Sequence, residues 1–398
     1  MSTYEYFEFI AVERPLSNAE VAELRAASSR ATITSNAFVN EYHFGNFKGN
    51  ARDWLGRFFD AHVHSASWGA CDLTLALPGE TWSDEVLAPF VEGGIGTGWT
   101  PAFRIERRGD KLLLTWAFAE DDVDDERFWN EGDGPGWAAR LLPLRDELLR
   151  GDPRPLYLGW LARWNRGEIE TATGEADDVC EPPLPAGLGA LTPAQEALVE
   201  FAMIDVDLLG SAAAASAPLP RAGGEDRALE HWLEQRSADE LRDVARLLLA
   251  GRGAAAERSL RRAWLASVDE PDASATSLRR TVSMIEAGVE AIRDQRIDAE
   301  RQERERIEQR GAAERARYLV SVAKRADAQW TLIDAELERG IANAYDTALV
   351  SLRDLHDALE VASRGAEYHA RFDVLMERHG RRPAWLRRLR NAGLIAGR

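Results

Sequence analysis

Leu278, Val282, Ile285, Val289 and Ile292 are spaced by four, three, four and three residues. That is a heptad seam, and a seam demands a partner helix along its length. From Asp294 to Arg317 the chain then turns almost wholly to charge and offers little to bury. The apolar rhythm returns at Leu319, Val322, Ala326, Trp330, Ile333 and Leu337. Two seams joined by a polar connector leave two arrangements. They fold back as a hairpin, or they form one rod that dimerises. Gly311 lies in the connector, where a glycine favours a bend. The expectation is a coiled-coil-like segment over residues 271–340. A charge-coated helix of this length suits holding or spacing better than lining a catalytic pocket, so the five seam residues are the first candidate interaction surface.

The first 130 residues alternate differently. Tyr4 to Val12 interleaves aromatic and acidic residues, a strand with one buried face. Ser17-Asn18-Ala19-Glu20 is a capping box that starts a helix. Ala31–Ser35 and Ala37–His43 read as two strands. Ala51–Ala61 reads as an amphipathic helix with Trp54, Leu55, Phe58 and Phe59 inward. Asp72–Leu77 is another strand, and Ala102–Arg107 with Lys111–Ala119 forms a hairpin across Gly109-Asp110. The order βαββαβ plus a hairpin predicts a ferredoxin-like α+β domain. Gly132-Asp133-Gly134-Pro135-Gly136 ends it.

Helices follow. Tyr157, Trp160, Leu161 and Trp164 form an aromatic stripe that suits a core better than a ligand box. Thr192 and Ser237 begin capped helices, and Ser211–Gly224 reads as a linker. Residues 131–270 therefore suggest a helical bundle. Residues 341–398 suggest a terminal helix pair with a basic tail, since Leu349, Leu352, Leu355 and Leu359 face Tyr368, Phe372 and Leu375. The pair resembles a single tetratricopeptide-like unit.

The net charge is -18, which repels nucleic acid and anionic lipid over most of the surface. The tail is the exception. Arg381, Arg382, Arg387, Arg388 and Arg390 crowd together with no acid after Glu377. They point to an acidic partner or a nucleic-acid backbone, or to the chain's own acidic body. The two cysteines, Cys71 and Cys180, are too far apart in sequence for a zinc finger and suit a reducing cytoplasm. No apolar run approaches the roughly 20 residues of a membrane span, and the N-terminus is acidic, unlike a secretory signal.

Asp60-Ala61-His62-Val63-His64 places two histidines one apart, so that on a strand they share a face and can share a metal, with His43 a further ligand. The run resembles the Asp-x-His-x-His with which amidohydrolases open, and that resemblance implies a metal-dependent hydrolase. The later histidine pair, the bridging lysine and the βα repeat of those enzymes are missing. The plainer reading has these histidines ending a helix or lining a sheet. Gly93-Gly94-Ile95-Gly96-Thr97-Gly98 follows a helix and precedes a strand, the reverse of a phosphate loop, and lacks the lysine. Glu120–Glu126 is acidic without EF-hand spacing. Phe38 and Tyr42 share a strand face as in RNA-recognition domains, but without basic interleaving.

Tyr6-Phe7-Glu8-Phe9, Arg14-Pro15-Leu16, Ser28-Ser29-Arg30-Ala31 and Phe38-Val39-Asn40-Glu41-Tyr42-His43 together resemble an uncharacterised bacterial family. Pro155–Leu161 and Arg378–Pro383 continue the likeness. Similar helical endings follow SWIM zinc fingers, whose Cys-x-Cys and Cys-x-His are missing here. The family implies no activity and no cofactor. The expectation is a non-catalytic cytoplasmic interaction or scaffold protein that binds a protein partner or itself. Two alternatives are a metal-dependent hydrolase at Asp60, His62 and His64, and nucleic-acid binding through the arginine tail.

Overall fold

The computed structural model describes residues 4–43, 47–92, 101–119, 134–169, 180–219, 224–251, 253–268 and 279–395. Leu278, the Gly93–Gly98 run and the Glu120–Glu126 cluster lie outside them. The chain divides into two compact units, residues 1–294 and 295–398.

The first unit is built on an antiparallel sheet of seven strands: β1 (Glu5–Ile10), β2 (Thr32–Ile33), β3 (Ala37–Tyr42), β4 (Ala61–Ala66), β5 (Ala70–Pro78), β6 (Phe103–Arg108) and β7 (Lys111–Ala119). Their spatial order is β2-β3-β1-β4-β5-β7-β6. Every pairing is antiparallel. A split βαβ sheet carries a parallel inner pair, and the described strands have none. The difference comes from one strand. The helix expected over Ala51–Ala61 stops at Arg57, and Ala61–Ala66 becomes β4, zipped between β1 and β5.

Three helices accompany the strands: α1 (Asn18–Ala27), α2 (Ala51–Arg57) and α3 (Asp84–Val91). Ser17 and Glu20 form the expected capping box on α1. Leu24, Trp54, Leu55, Phe58 and Phe59 pack with Phe7, Phe9 and Phe38 on one face of the sheet.

The other face meets a helical layer: α4 (Trp137–Leu141), α5 (Pro143–Leu149), α6 (Arg154–Asn165), α7 (Pro193–Phe201) and α8 (Val206–Ala215). Val63, Leu73, Leu75, Leu114, Trp116 and Phe118 of the sheet share one core with Leu144, Tyr157, Trp160 and Leu198 of these helices. The aromatic stripe of α6 is thus core. Trp116 donates its Nε1–H to the Pro155 carbonyl at 3.0 Å. Gly159 lets α6 approach closely, because a Cβ there would lie 2.4 Å from the Phe103 ring. Residues 137–215 therefore share their interior with the sheet. Of the segment expected as a linker, Ser211–Ala215 is the end of α8.

Helices α9 (Gly224–Glu234), α10 (Ala238–Leu249) and α11 (Gly253–Val268) follow. Then comes α12, Val282–Lys324, a helix of 43 residues. It passes through Gly311 without a break. Each residue from Arg293 to Tyr318 is exposed.

The second unit contains α13 (Ala326–Arg339), α14 (Ala342–Val361), α15 (Gly365–His379) and α16 (Pro383–Asn391). Leu319, Val322, Ala326, Trp330, Ile333 and Leu337, the second seam, are all buried against Ala348, Leu352, Leu355 and Leu359. The helix breaks between Lys324 and Ala326, and Gly340 takes a left-handed conformation (φ 70°) that ends α13 and turns the chain into α14.

Candidate functional site

Alternation along β4 sends Val63 into the helical core and turns His62 and His64 to the opposite face. The turn at Gly69 (φ 85°) pairs β4 with β5 so that His64 faces Asp72 and His62 faces Thr74. The same row continues from Thr74 to Thr115 on β7 and Arg104 on β6. One sheet face thus lines up imidazole, hydroxyl and guanidinium groups beside a carboxylate.

Asp72 holds both histidines. Its Oδ2 lies 3.1 Å from His64 Nδ1, and its Oδ1 lies 3.4 Å from His62 Nδ1. Glu5 Oε1 stands 3.6 Å from His64 Nε2. Burial opposes a charge on His64, but the bonds and charges of Asp72 and Glu5 outweigh it and lift the imidazole to about 9. Burial likewise pushes the Asp72 carboxyl up, and hydrogen bonds from His62 and His64 reverse this and hold it far below the carboxylate range. The result is a shielded ion pair with a second imidazole attached. Phe7 and Phe9 flank it, their rings 4.5 Å from His64 and 4.2 Å from His62. Among the described residues His62 Nε2 is buried without a hydrogen-bond partner, and His64 Nε2 has only its 3.6 Å ion pair with Glu5.

Thr74 and Thr115 share a hydrogen bond of 3.0 Å between their hydroxyls. Arg104 stands beside Thr115, half-buried. Burial lowers its pKa, as does the charge of Arg52, while Asp72 and Glu106 act on it only through their charge.

The metal candidates do not come together. Asp60 Oδ2 accepts the backbone N–H groups of Val12 and Glu13 at 2.8 and 2.9 Å, and its Oδ1 pairs with Lys111 Nζ at 3.4 Å. It secures the end of β1 and is fully engaged there. His43 packs against Tyr4 with the rings tilted by 50°, their centroids 5.4 Å apart. Among the described residues no group of three or more His, Cys, Asp and Glu is arranged to hold a metal ion. Asp72, which organises the pair, escapes a reading of the Asp60–His64 run alone. The glycine at position 69 is the signal that could have found it, because a turn there sets the register that brings Asp72 opposite His64.

Of the seam residues, Ile285, Val289 and Ile292 are engaged within their own unit. Ile285 is buried in the core shared with the sheet, and Val289 packs against it. The seam rides on α8, whose small residues allow a close approach. A Cβ on Gly210 would lie 2.8 Å from Ile292 Cγ2, and one on Gly288 would lie 2.4 Å from Ser211 Oγ. Arg293 pairs with Asp207 at 3.3 Å. Val282 opens the helix. The partner that the heptad spacing demands is therefore α8 of the same chain over Ile285–Ile292.

The tail divides in two. Arg378 and His379 both bind Asp334, at 3.0 and 2.8 Å. Arg382 donates to the Leu337 carbonyl at the end of α13, and Arg388 pairs with Asp346 at 2.6 Å. Arg381, Arg387 and Arg390 are exposed and have no such partner among the described residues.

Among the described residues no helix is long and apolar enough to cross a membrane. No family model, no curated protein and no solved structure matches this chain.

Proposed function

We propose that this is a non-catalytic interaction protein, a scaffold whose residues 295–398 form the partner-facing module. The observation that carries the reading is the stretch Arg293–Tyr318 of α12, exposed on every side. A helix that is polar all round needs support from its own side chains, and such helices bridge between folded bodies. Here Arg296–Glu300, Asp298–Arg301 and Glu303–Arg306 supply that support at 2.8 to 2.9 Å. Beyond the stretch the chain folds around a separate apolar core. Sequence and energy devoted to presenting a second module are explained by a partner that the module binds.

The partner face we assign is on α14. Val350 and Val361 lie eleven residues apart, three helical turns, and both are more than half exposed. The exposed Arg381, Arg387 and Arg390 favour an acidic partner. Cys71 and Cys180 are both free thiols, which supports work in a reducing compartment such as the cytoplasm.

Affinity capture with cross-linking mass spectrometry on the full chain tests the proposal. Cross-links from residues 295–398 to a co-purifying protein are expected, and the double variant Val350→Glu/Val361→Glu should lose that protein while keeping its fold. Capture that is unchanged in the double variant rejects α14 as the face. The nucleic-acid reading of the tail is tested by filter binding at low salt, where loss on replacing Arg381, Arg387 and Arg390 with glutamine would favour it over a protein partner.

A further inference from the structure

We propose that two copies of this chain associate through α10, packed antiparallel about a two-fold axis at the level of Asp243.

The helix α10 has 12 residues, and none of them is buried. Ser237 and Glu240 form a capping box at its start. The pairs Asp239–Arg242 and Asp243–Arg246 brace its polar side. Another side is apolar. Ala238, Leu241, Ala245, Leu248 and Leu249 fall within about 100° of the circumference, and all five are exposed. Leu241 is 41% exposed, Leu248 56% and Leu249 89%. The helix packs on α11, but its partly buried residues are Val244 and Leu247, beside the stripe. A contiguous leucine face held in water by a well-capped helix marks an interface.

The order of residues along the stripe names the occupant. Ala238, Leu241, Ala245 and Leu248 are spaced by three, four and three, and small side chains alternate with large ones. That order complements its own reverse. With Asp243 of one copy level with Asp243 of the other, Leu241 of each faces Ala245 of the other, and Ala238 faces Leu248. Every large side chain then meets a small one, which lets two helix surfaces interdigitate. A parallel copy in register sets leucine on leucine and alanine on alanine. The charges agree with the reversal. Asp239 and Glu240 occupy the first turn and Arg246 the last. An antiparallel copy therefore brings each acidic end to a basic one and opposes the two helix dipoles. Such a contact is isologous and closes on itself as a dimer. It is smaller than a standard interface, so the dissociation constant falls in the micromolar range.

The test is sedimentation equilibrium of the full chain from about 1 to 200 µM. A reversible monomer–dimer equilibrium is expected. Leu241→Glu/Leu248→Glu should weaken it about tenfold or more, with helix content unchanged by circular dichroism. A size exchange tests the register, and it carries the test should the charged variant misfold. Ala245→Leu sets leucine against leucine and should weaken the dimer. Ala245→Leu combined with Leu241→Ala restores large against small and should recover the parent affinity. Val350→Glu/Val361→Glu should leave the dimer intact, so this proposal and the α14 face are tested separately; a dimer lost there lies on α14 and overturns the proposal. It is also overturned if the chain stays monomeric across the range, if the dimer is indifferent to Leu241→Glu/Leu248→Glu, or if the size exchange fails to restore it.

Discussion

The Arg280 guanidinium clasps the Glu181 carboxylate with two hydrogen bonds, the one from Nε to Oε2 measuring 2.7 Å. Tyr157 of α6 donates its hydroxyl to the same carboxylate. Arg280 also reaches the Ser211 carbonyl of α8 at 3.2 Å. Two residues on, α12 begins. This pair, with the Glu181 N–H bonded to the Arg280 carbonyl, secures the root of the long helix to the helical layer. Removing one partner leaves a buried charge unpaired. Arg280→Ala should destabilise residues 1–294 by about 3 kcal/mol, read by urea unfolding followed with tryptophan fluorescence. A loss under about 0.5 kcal/mol, the size of a surface pair, would show that the clasp is incidental.

The His64–Asp72 pair predicts a pH dependence. His64 binds its proton more tightly folded, at about 9 against an ordinary 6.5. Its contribution is therefore complete below about pH 6.5 and is lost as pH rises through 9. Asp72 is shifted down from 3.8, so its contribution is complete above that value and fades as pH falls. Between those limits the pair stabilises most. Toward pH 9.5 the parent protein should lose on the order of 3 kcal/mol relative to His64→Gln. Denaturation of both proteins across pH 6 to 10 measures the difference, and parallel curves would refute the ion pair.

Close packing of α12 on α8 predicts a coupled pair of substitutions. Gly288→Ala places a Cβ 2.4 Å from Ser211 Oγ. The clash should cost about 1–3 kcal/mol, offset in part by about 1 kcal/mol of helix propensity. In a Ser211→Ala background the nearest atom becomes the Ser211 Cβ at 3.5 Å. There the same substitution should be neutral or stabilising. A thermodynamic cycle measures the coupling, and additivity of the two changes would mean the helices are not in contact at this point.

Gly311 makes the opposite prediction. A Cβ there meets nothing within 4 Å. Gly311→Ala should raise helix stability locally by about 1 kcal/mol, seen as slower amide hydrogen exchange across residues 305–317. Unchanged exchange would mean that the helix does not run through this position.

Ile285 is the seam residue whose loss should be felt most. It is 1% exposed and shares the core with Leu208 and Ala212. Ile285→Ala should cost about 2–4 kcal/mol by chemical denaturation. A cost under 1 kcal/mol, with a simultaneous fall in molar mass by light scattering, would instead place Ile285 in a contact between chains.

Much of the local structure is legible in the residues because local structure obeys local rules. The Ser17 capping box, the Gly109 hairpin and the three-four spacing of Leu319–Leu337 each involve neighbours within a few residues. Even the buried fate of the α6 aromatics follows from their spacing. The end of α2 is the instructive failure. Phe58 and Phe59 continue an apolar pattern compatible with helix; Gly56 lies inside α2 and does not end it, and no proline follows before Ala66. Only the pairing of Ala61–Ala66 with both β1 and β5 makes that stretch a strand. Asp72 shows the same limit: its proximity to His62 and His64 is a matter of register between strands.

Taken alone, the residues determine the helix-rich second half, the charged connector and the two apolar seams, since periodicity and composition settle which face of a helix avoids water. They also show that each seam requires a partner. Which partner satisfies it is not written in the spacing. Ile285 meets Leu208 and Ala212 of α8, and Trp330 meets Tyr368 of α15, because backbone closeness and side-chain volume are properties of the assembled core. The polar row from His62 to Arg104 likewise exists only once four strands lie side by side, for charge and shielding depend on neighbours that the chain brings together only by folding.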